Sequence, residues 1–245
     1  MPNNQLKSSF AKIDRADYHL TQLSNKIRAD QENKLFGISF IHEGQTDDLV
    51  ISALIPGDLF MQYAIIAGDV IGQARSALEH TVWSMLPTPI LRVSGFPVLK
   101  DAQRYETHGK RMIEGINADA EEFIHSLQPF NDHEKNLLYI LNELWNRDKH
   151  RLLNFCVAYP QGIQLYSHPN NVFSGQHIQV PINVNHGTQL FREKYPGPEV
   201  KVGAEVAMTE VIFKDGLVQG EQVTDLLDRL LQFSRQIIER LSETI

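Results

Sequence analysis

One cysteine in 245 residues excludes an internal disulfide and fits a reducing compartment. Its setting, LLNFCVAY, is apolar and strand-like, which marks Cys156 as a small core residue rather than a nucleophile. The start, Met1 to Phe10, is polar and lacks the apolar stretch of an export signal. The longest apolar stretch, Leu54 to Met85, is interrupted by Asp58, Asp69, Arg75 and Glu79, so it reads as a buried helix rather than a membrane span. These absences predict a cytoplasmic protein. Also missing are a Walker loop, GxGxxG, a CxxC pair, GxSxG and HExxH, which removes the commonest nucleotide, thiol-redox, serine-hydrolase and zinc-protease signatures.

Basic surface is scarce as well. The formal net charge is −7, which argues against a coat of positive charge for nucleic acid. The basic residues are unevenly spread, however. Arg92, Lys100, Arg104, Lys110 and Arg111 outnumber Asp101 and Glu106 between 92 and 111, and Arg147, Lys149, His150 and Arg151 form a second cluster. Both read as solvated stretches, with a local anion-binding surface as the alternative.

What is present is an ordinary globular composition, 42% hydrophobic and 22% charged, able to bury a sizeable core. Phe10, Ile13, Ala16, Leu20, Leu23 and Ile27 recur at spacings of three and four, which predicts a helix over about 7–31. FGISFI and DLVISALI, flanking HEGQTD, predict a hairpin. Pro56-Gly57 ends the second strand and Asp58 can cap the next helix. That helix, 58–86, is apolar nearly all round and should be the most buried, with Pro87 and Pro89 ending it. Residues 87–111 read as a long ordered loop, and helices are expected over 112–127 and 132–151. Strand patterns fill 152–213, and an amphipathic helix over about 220–244 closes the chain. The expected architecture is a single α+β domain over 1–245. It has a bundle-like helical core (about 1–151), an antiparallel sheet from the C-terminal half (about 152–215) and the N-terminal hairpin.

Chemistry-bearing residues concentrate on two helices. Asp69, Gln73, Ser76 and His80 follow i, i+4, i+7, i+11, a polar seam on an apolar helix, with Arg75 and Glu79 on the adjoining face. On the later helix Asp148 falls in the middle of the apolar face made by Leu137, Leu141, Leu144 and Trp145. A buried carboxylate needs a partner, and Arg75, His80 or Arg151 are the expected ones. Such a network either fixes helix register or serves a site. His168, His177 and His186 lack short ligand spacing, so neither a metal nor another cofactor is expected. Glu121-Glu122 and Asp47-Asp48 read as solvated faces.

The strings GDVIGQARSALEHTVW, GFPVLKDAQRY, IHSLQPF and LNELWNRDKHRLL, spanning Gly68 to Leu153, resemble a family of bacterial and phage-borne proteins of open function. Its pattern is close to GD..HNLRSALDH..W, FP.F, LQPY and N.DKHR. This chain departs from it at Gly72-Gln73, where the family usually has His-Asn. More loosely, Arg75-Ser-Ala-Leu-Glu-His80 resembles the paired Arg and His of the HEPN superfamily, many of whose members are RNA-cleaving toxins or defence nucleases. Ser76 stands where a polar residue, often Asn, commonly follows the Arg.

That second resemblance implies metal-independent RNA cleavage through the 2′-hydroxyl, with RNA as substrate and a homodimer as the working unit. His80 would be the general acid or base. Arg75, with Asp148 beside it, would complete the catalytic group, and Arg147, Lys149 or Arg151 would help to stabilise phosphoryl charge. Asp69, Gln73, Arg147, Lys149, His150 and Arg151 are then the candidate substrate-binding residues. Two other readings compete with it: a non-catalytic module that binds a partner, with a purely structural seam, and a small-molecule enzyme using Asp148, His80 and Arg75.

Overall fold

A computed structural model describes residues 6–87, 93–131, 136–150, 156–160, 163–168, 177–178, 185–197, 201–206 and 209–245. The chain is α+β. It divides into two compact units that interleave in sequence: 1–23, 65–154 and 224–245 form one, and 24–64 with 155–223 the other.

The first unit is helical. Helix α1 (Lys7–Glu32) and helix α2 (Gly57–Met85) each give it part of their length. Their spacing dictates what is buried: Ile13, Ala16, Leu20 and Leu23 on α1, and Ala67, Val70, Ile71, Ala74, Leu78 and Val82 on α2. Each large aliphatic side chain so buried contributes about 1.5–3 kcal/mol. Helix α6 (Leu137–His150) buries Leu138, Leu141 and Leu144, and α7 (Val223–Ser242) buries a stripe from Leu226 to Leu241. The ends of α1, α2 and α7 lie close to those expected from periodicity, whereas α6 begins at Leu137 rather than 132, and residues 132–135 and 151 lie outside the described residues.

The expected long loop 87–111 is corrected. Residues 93–101 are irregular, but α3 (Ala102–Arg104), a π-helical turn (Tyr105–Gly109) and α4 (Lys110–Met112) follow without a break. Asp101 nucleates this run, its carboxylate accepting the Arg104 N–H at 2.7 Å. The run carries a single deep apolar anchor, Tyr105, and so shows no periodic stripe. The helix expected over 112–127 starts later, as α5 (Ala118–Ser126). The chain turns first at Gly115, whose φ of 96° suits glycine, and Asn117 then caps Ala120 N–H at 2.9 Å.

The second unit holds the strands. Strands β1 (Gly37–Glu43) and β2 (Asp48–Leu54) form the expected hairpin. Strand β6 (Gln189–Lys194) from the C-terminal half extends it, giving the antiparallel order β1-β2-β6. Strands β3 (Cys156–Pro160) and β8 (Thr209–Phe213) pair, and β5 (His177–Ile178), β4 (Ile163–His168) and β7 (Lys201–Val206) form a third antiparallel sheet. Arg192 and Lys194 on β6 meet Asp48 at 2.8 Å, and Arg192 also meets Glu43 at 3.0 Å. These cations hold both carboxyls below their ordinary range. No described helix is long and apolar enough to cross a membrane.

Tyr105 is 0% exposed, packs edge-on against His125 and Phe130, and its hydroxyl has no hydrogen-bond partner among the described residues. Burial pushes that hydroxyl up to about 12. An unpaired buried hydroxyl costs stability, so Tyr105→Phe is expected to stabilise the fold by about 1 kcal/mol in denaturant unfolding. A loss of similar size would mean that the hydroxyl is bonded in solution.

Candidate functional site

Arg75 sits on α2 with 4% of its surface exposed. A guanidinium stripped of water must be paired; here Nη2 and Nε donate hydrogen bonds, while Nη1 makes an ion pair without hydrogen-bond geometry. Nη1 lies 2.6 Å from Glu79 Oε1, Nη2 donates to the Phe96 carbonyl at 2.9 Å, and Nε points at Asn142 Oδ1 at 3.4 Å. Its carbon lies 5.2 Å from the Trp145 ring centre, a cation–π contact. Burial lowers the guanidinium's affinity for its proton, and the Glu79 carboxylate opposes that shift.

Glu79 completes the clasp. Its Oε2 accepts the Phe96 N–H at 2.9 Å, so the Arg75–Glu79 pair holds both backbone groups of Phe96. A Cβ on Gly95 would fall 2.4 Å from that same oxygen, which is why glycine precedes Phe96. Gln128, fully buried, finishes the strap. Its amide donates to Pro97 and Ile124 carbonyls at 3.0 Å and accepts Leu99 N–H at 3.0 Å. The strings QARSALEH, GFP and LQP thus converge on one task, tying residues 95–99 to the helices.

Of the three partners expected for Asp148, Arg75 is engaged elsewhere, no contact with His80 occurs among the described residues, and Arg151 lies outside them. Glu79, four residues from Arg75 on the same helix, takes the guanidinium, because a local partner is ordered at little entropic cost. Asp148 instead packs on Gly68, where a Cβ would come within 2.6 Å of its Oδ1. That oxygen is buried and has no hydrogen-bond partner among the described residues. Burial first, then the neighbouring Asp69 carboxylate, raises the Asp148 carboxyl above its ordinary value of 3.8.

Of the other sequence-predicted residues, Asp69 is exposed, and Gln73 and Arg147 are half-buried. Lys149 Nζ lies 4.5 Å from the Trp145 ring centre. His150 ends α6, and Arg151 lies outside the described residues. Among the described residues no three His, Cys, Asp or Glu side chains converge as a metal site would require. His186 has a structural task, its Nδ1 accepting the Ile55 N–H at 3.0 Å.

Ser76 and His80 open onto an accessible cleft of about 560 Å³ lined also by Ser8 of α1 and by Glu79, Trp83 and Ser84 of α2. Trp83 is 37% exposed, and its indole N–H donates to the Ser94 carbonyl at 3.0 Å. Ser84 spends its proton on the His80 carbonyl at 2.8 Å. Sequence reasoning overlooked Ser8, Trp83, Ser84 and Gln128. Trp83 was detectable as an aromatic three residues beyond His80 on the same side of α2; Ser8, from a distant helix, carried no signal. Comparison with protein-family models, curated proteins and solved structures finds no match.

Two substitutions test the clasp and the buried carboxyl. Arg75→Ala strands the Glu79 carboxylate and the Phe96 carbonyl and should cost about 3–5 kcal/mol in denaturant unfolding; an unchanged midpoint would show the clasp to be dispensable. Asp148 has a raised carboxyl, so its drag on stability is absent below the ordinary carboxylate range, where the group is protonated folded and unfolded. The drag builds as pH rises toward the folded value and persists above it. Asp148→Asn should therefore raise the melting temperature at neutral pH, and the gain should fade below about pH 4. A gain independent of pH would assign the effect to packing.

Proposed function

We propose that this chain is a non-catalytic binding module in which the Arg75–Glu79 seam is structural and the cleft beside His80 is the ligand seat. The observation that carries the reading is the contrast across two turns of α2. Arg75 is 4% exposed, with its nitrogens directed at Glu79, Phe96 and Asn142, whereas the Ser76, His80 and Trp83 side is open. A group so committed cannot follow charge developing on a phosphoryl oxygen without breaking the clasp, and such catalysis depends above all on stabilising that charge. A concave site with an aromatic wall and a few polar groups is the usual form of a small-ligand seat.

A second reading, HEPN-like metal-independent RNA cleavage, is favoured by one observation, that His80 lines an open cleft five residues from Arg75. There His80 alone would serve as acid or base, and transition-state charge would fall to residues other than Arg75.

The two readings separate in paired measurements. The binding module should leave RNA intact in EDTA and with Mg²⁺ or Mn²⁺. A screen of small neutral fragments by NMR should shift the indole N–H of Trp83 while that of Trp145, the other tryptophan, stays in place. RNA cleavage that disappears in His80→Ala with an unchanged melting temperature would replace this reading with the second. A Trp83 signal that no fragment moves would remove the ligand seat.

A further inference from the structure

We propose that the cleft takes a neutral, flat heteroaromatic ring of the nucleobase type, stacked on Trp83 and read at its edge by Ser76 and His80. This inference rests on the binding-module reading and narrows it to a ligand class.

Charge is the first argument. The only carboxylate lining the cleft among the described residues is Glu79, and its two oxygens already face the Arg75 guanidinium and the Phe96 N–H. No Lys or Arg is among the described lining residues. The described lining therefore offers neither a free cation for a phosphate or carboxylate nor an uncompensated anion for an ammonium group. A neutral ligand is what remains.

Shape is the second. The Trp83 ring is held by its N–H bond to the Ser94 carbonyl, so its one polar atom is spent and the exposed indole surface is left for contact. Flat rings bury the most area against a flat indole, and offset stacking adds to that burial.

The third argument is the distribution of hydrogen-bonding groups. Ser76, His80 and Trp83 are spaced i, i+4, i+7 and share one side of α2. Among the described residues no hydrogen bond occupies the Ser76 hydroxyl or the His80 ring. A hydroxyl both donates and accepts, and a neutral imidazole carries one donor and one acceptor. Ser84, whose proton goes to the His80 carbonyl, is left to accept. This alternation suits the mixed donor and acceptor edge of a base. It would serve a purely apolar ring poorly, because the polar groups would then be desolvated without partners.

Isothermal titration calorimetry of the intact chain tests the proposal. The probes are adenine, adenosine, guanosine, cytidine and uridine, the corresponding 5′-monophosphates, and glucose as a neutral ring without a π face. At least one base or nucleoside should bind, and adding a 5′-phosphate should not tighten it. Trp83→Ala should weaken binding by about tenfold or more, and Trp83→Phe should keep most of it, since stacking on an aromatic side chain is tolerant of which ring supplies it. Melting curves of both variants identify any loss that comes from unfolding. Binding of glucose with no nucleoside bound overturns the ring class, as do monophosphates that bind where nucleosides do not. Binding unchanged in Trp83→Ala overturns the site. If neutral fragments move the Trp83 resonance while every base and nucleoside fails, this inference falls and the binding-module reading stands. If no fragment moves it, both fall.

Discussion

A guanidinium buried to 4% exposure has given up its hydration, and the helical unit around Arg75 is organised to replace it. Glu79 supplies the counter-charge, Phe96 a carbonyl, Asn142 an amide oxygen and Trp145 an aromatic face. These partners come from three pieces of chain: α2 itself, the irregular segment 93–101, and α6. The ion pair therefore matters less for its Coulomb energy, which desolvation largely offsets, than for what it orders. With Glu79 also accepting Phe96 N–H, both backbone groups of Phe96 are tied to the buried charge pair. Gln128 secures the next residues from the end of α5 in the same way.

That commitment decides which side of α2 remains available. The clasp consumes the groups facing α6 and the segment at Phe96, while Ser76, His80 and Trp83 look into open space beside Ser8. Asp148 stands apart from both. It is held against Gly68 with an unpaired oxygen and with Asp69 nearby, a local conflict that the surrounding packing tolerates. The committed groups and the open ones share one helix and are separated by its rotation from residue to residue.

Elements with a strong period were legible from spacing. Helices α1, α2 and α7, the β1–β2 hairpin and the strands described between 156 and 213 all follow from apolar spacing and turn residues. The run 102–112 was not legible, because its stability rests on one Asp cap and one buried Tyr. Within the site, the polar seam and the proximity of Arg75 to Glu79 were visible at helical spacing. The choice of partner was not. Asp148 and Glu79 are both carboxylates within plausible reach of Arg75, and only packing places one at 2.6 Å and the other against Gly68.

By itself the sequence determined the α+β class, the ends of the periodic helices and the presence of ionisable residues on two apolar helices. Periodicity encodes which way a side chain faces on its own element, so these properties follow from local spacing alone. Only the tertiary structure decided that Arg75 is sealed, that GFP and LQP belong to one strap, and that Ser8 joins Ser76, His80 and Trp83 around a cleft. Those outcomes depend on which residues from remote parts of the chain arrive within about 3 Å of one another, and no single-element pattern carries that information.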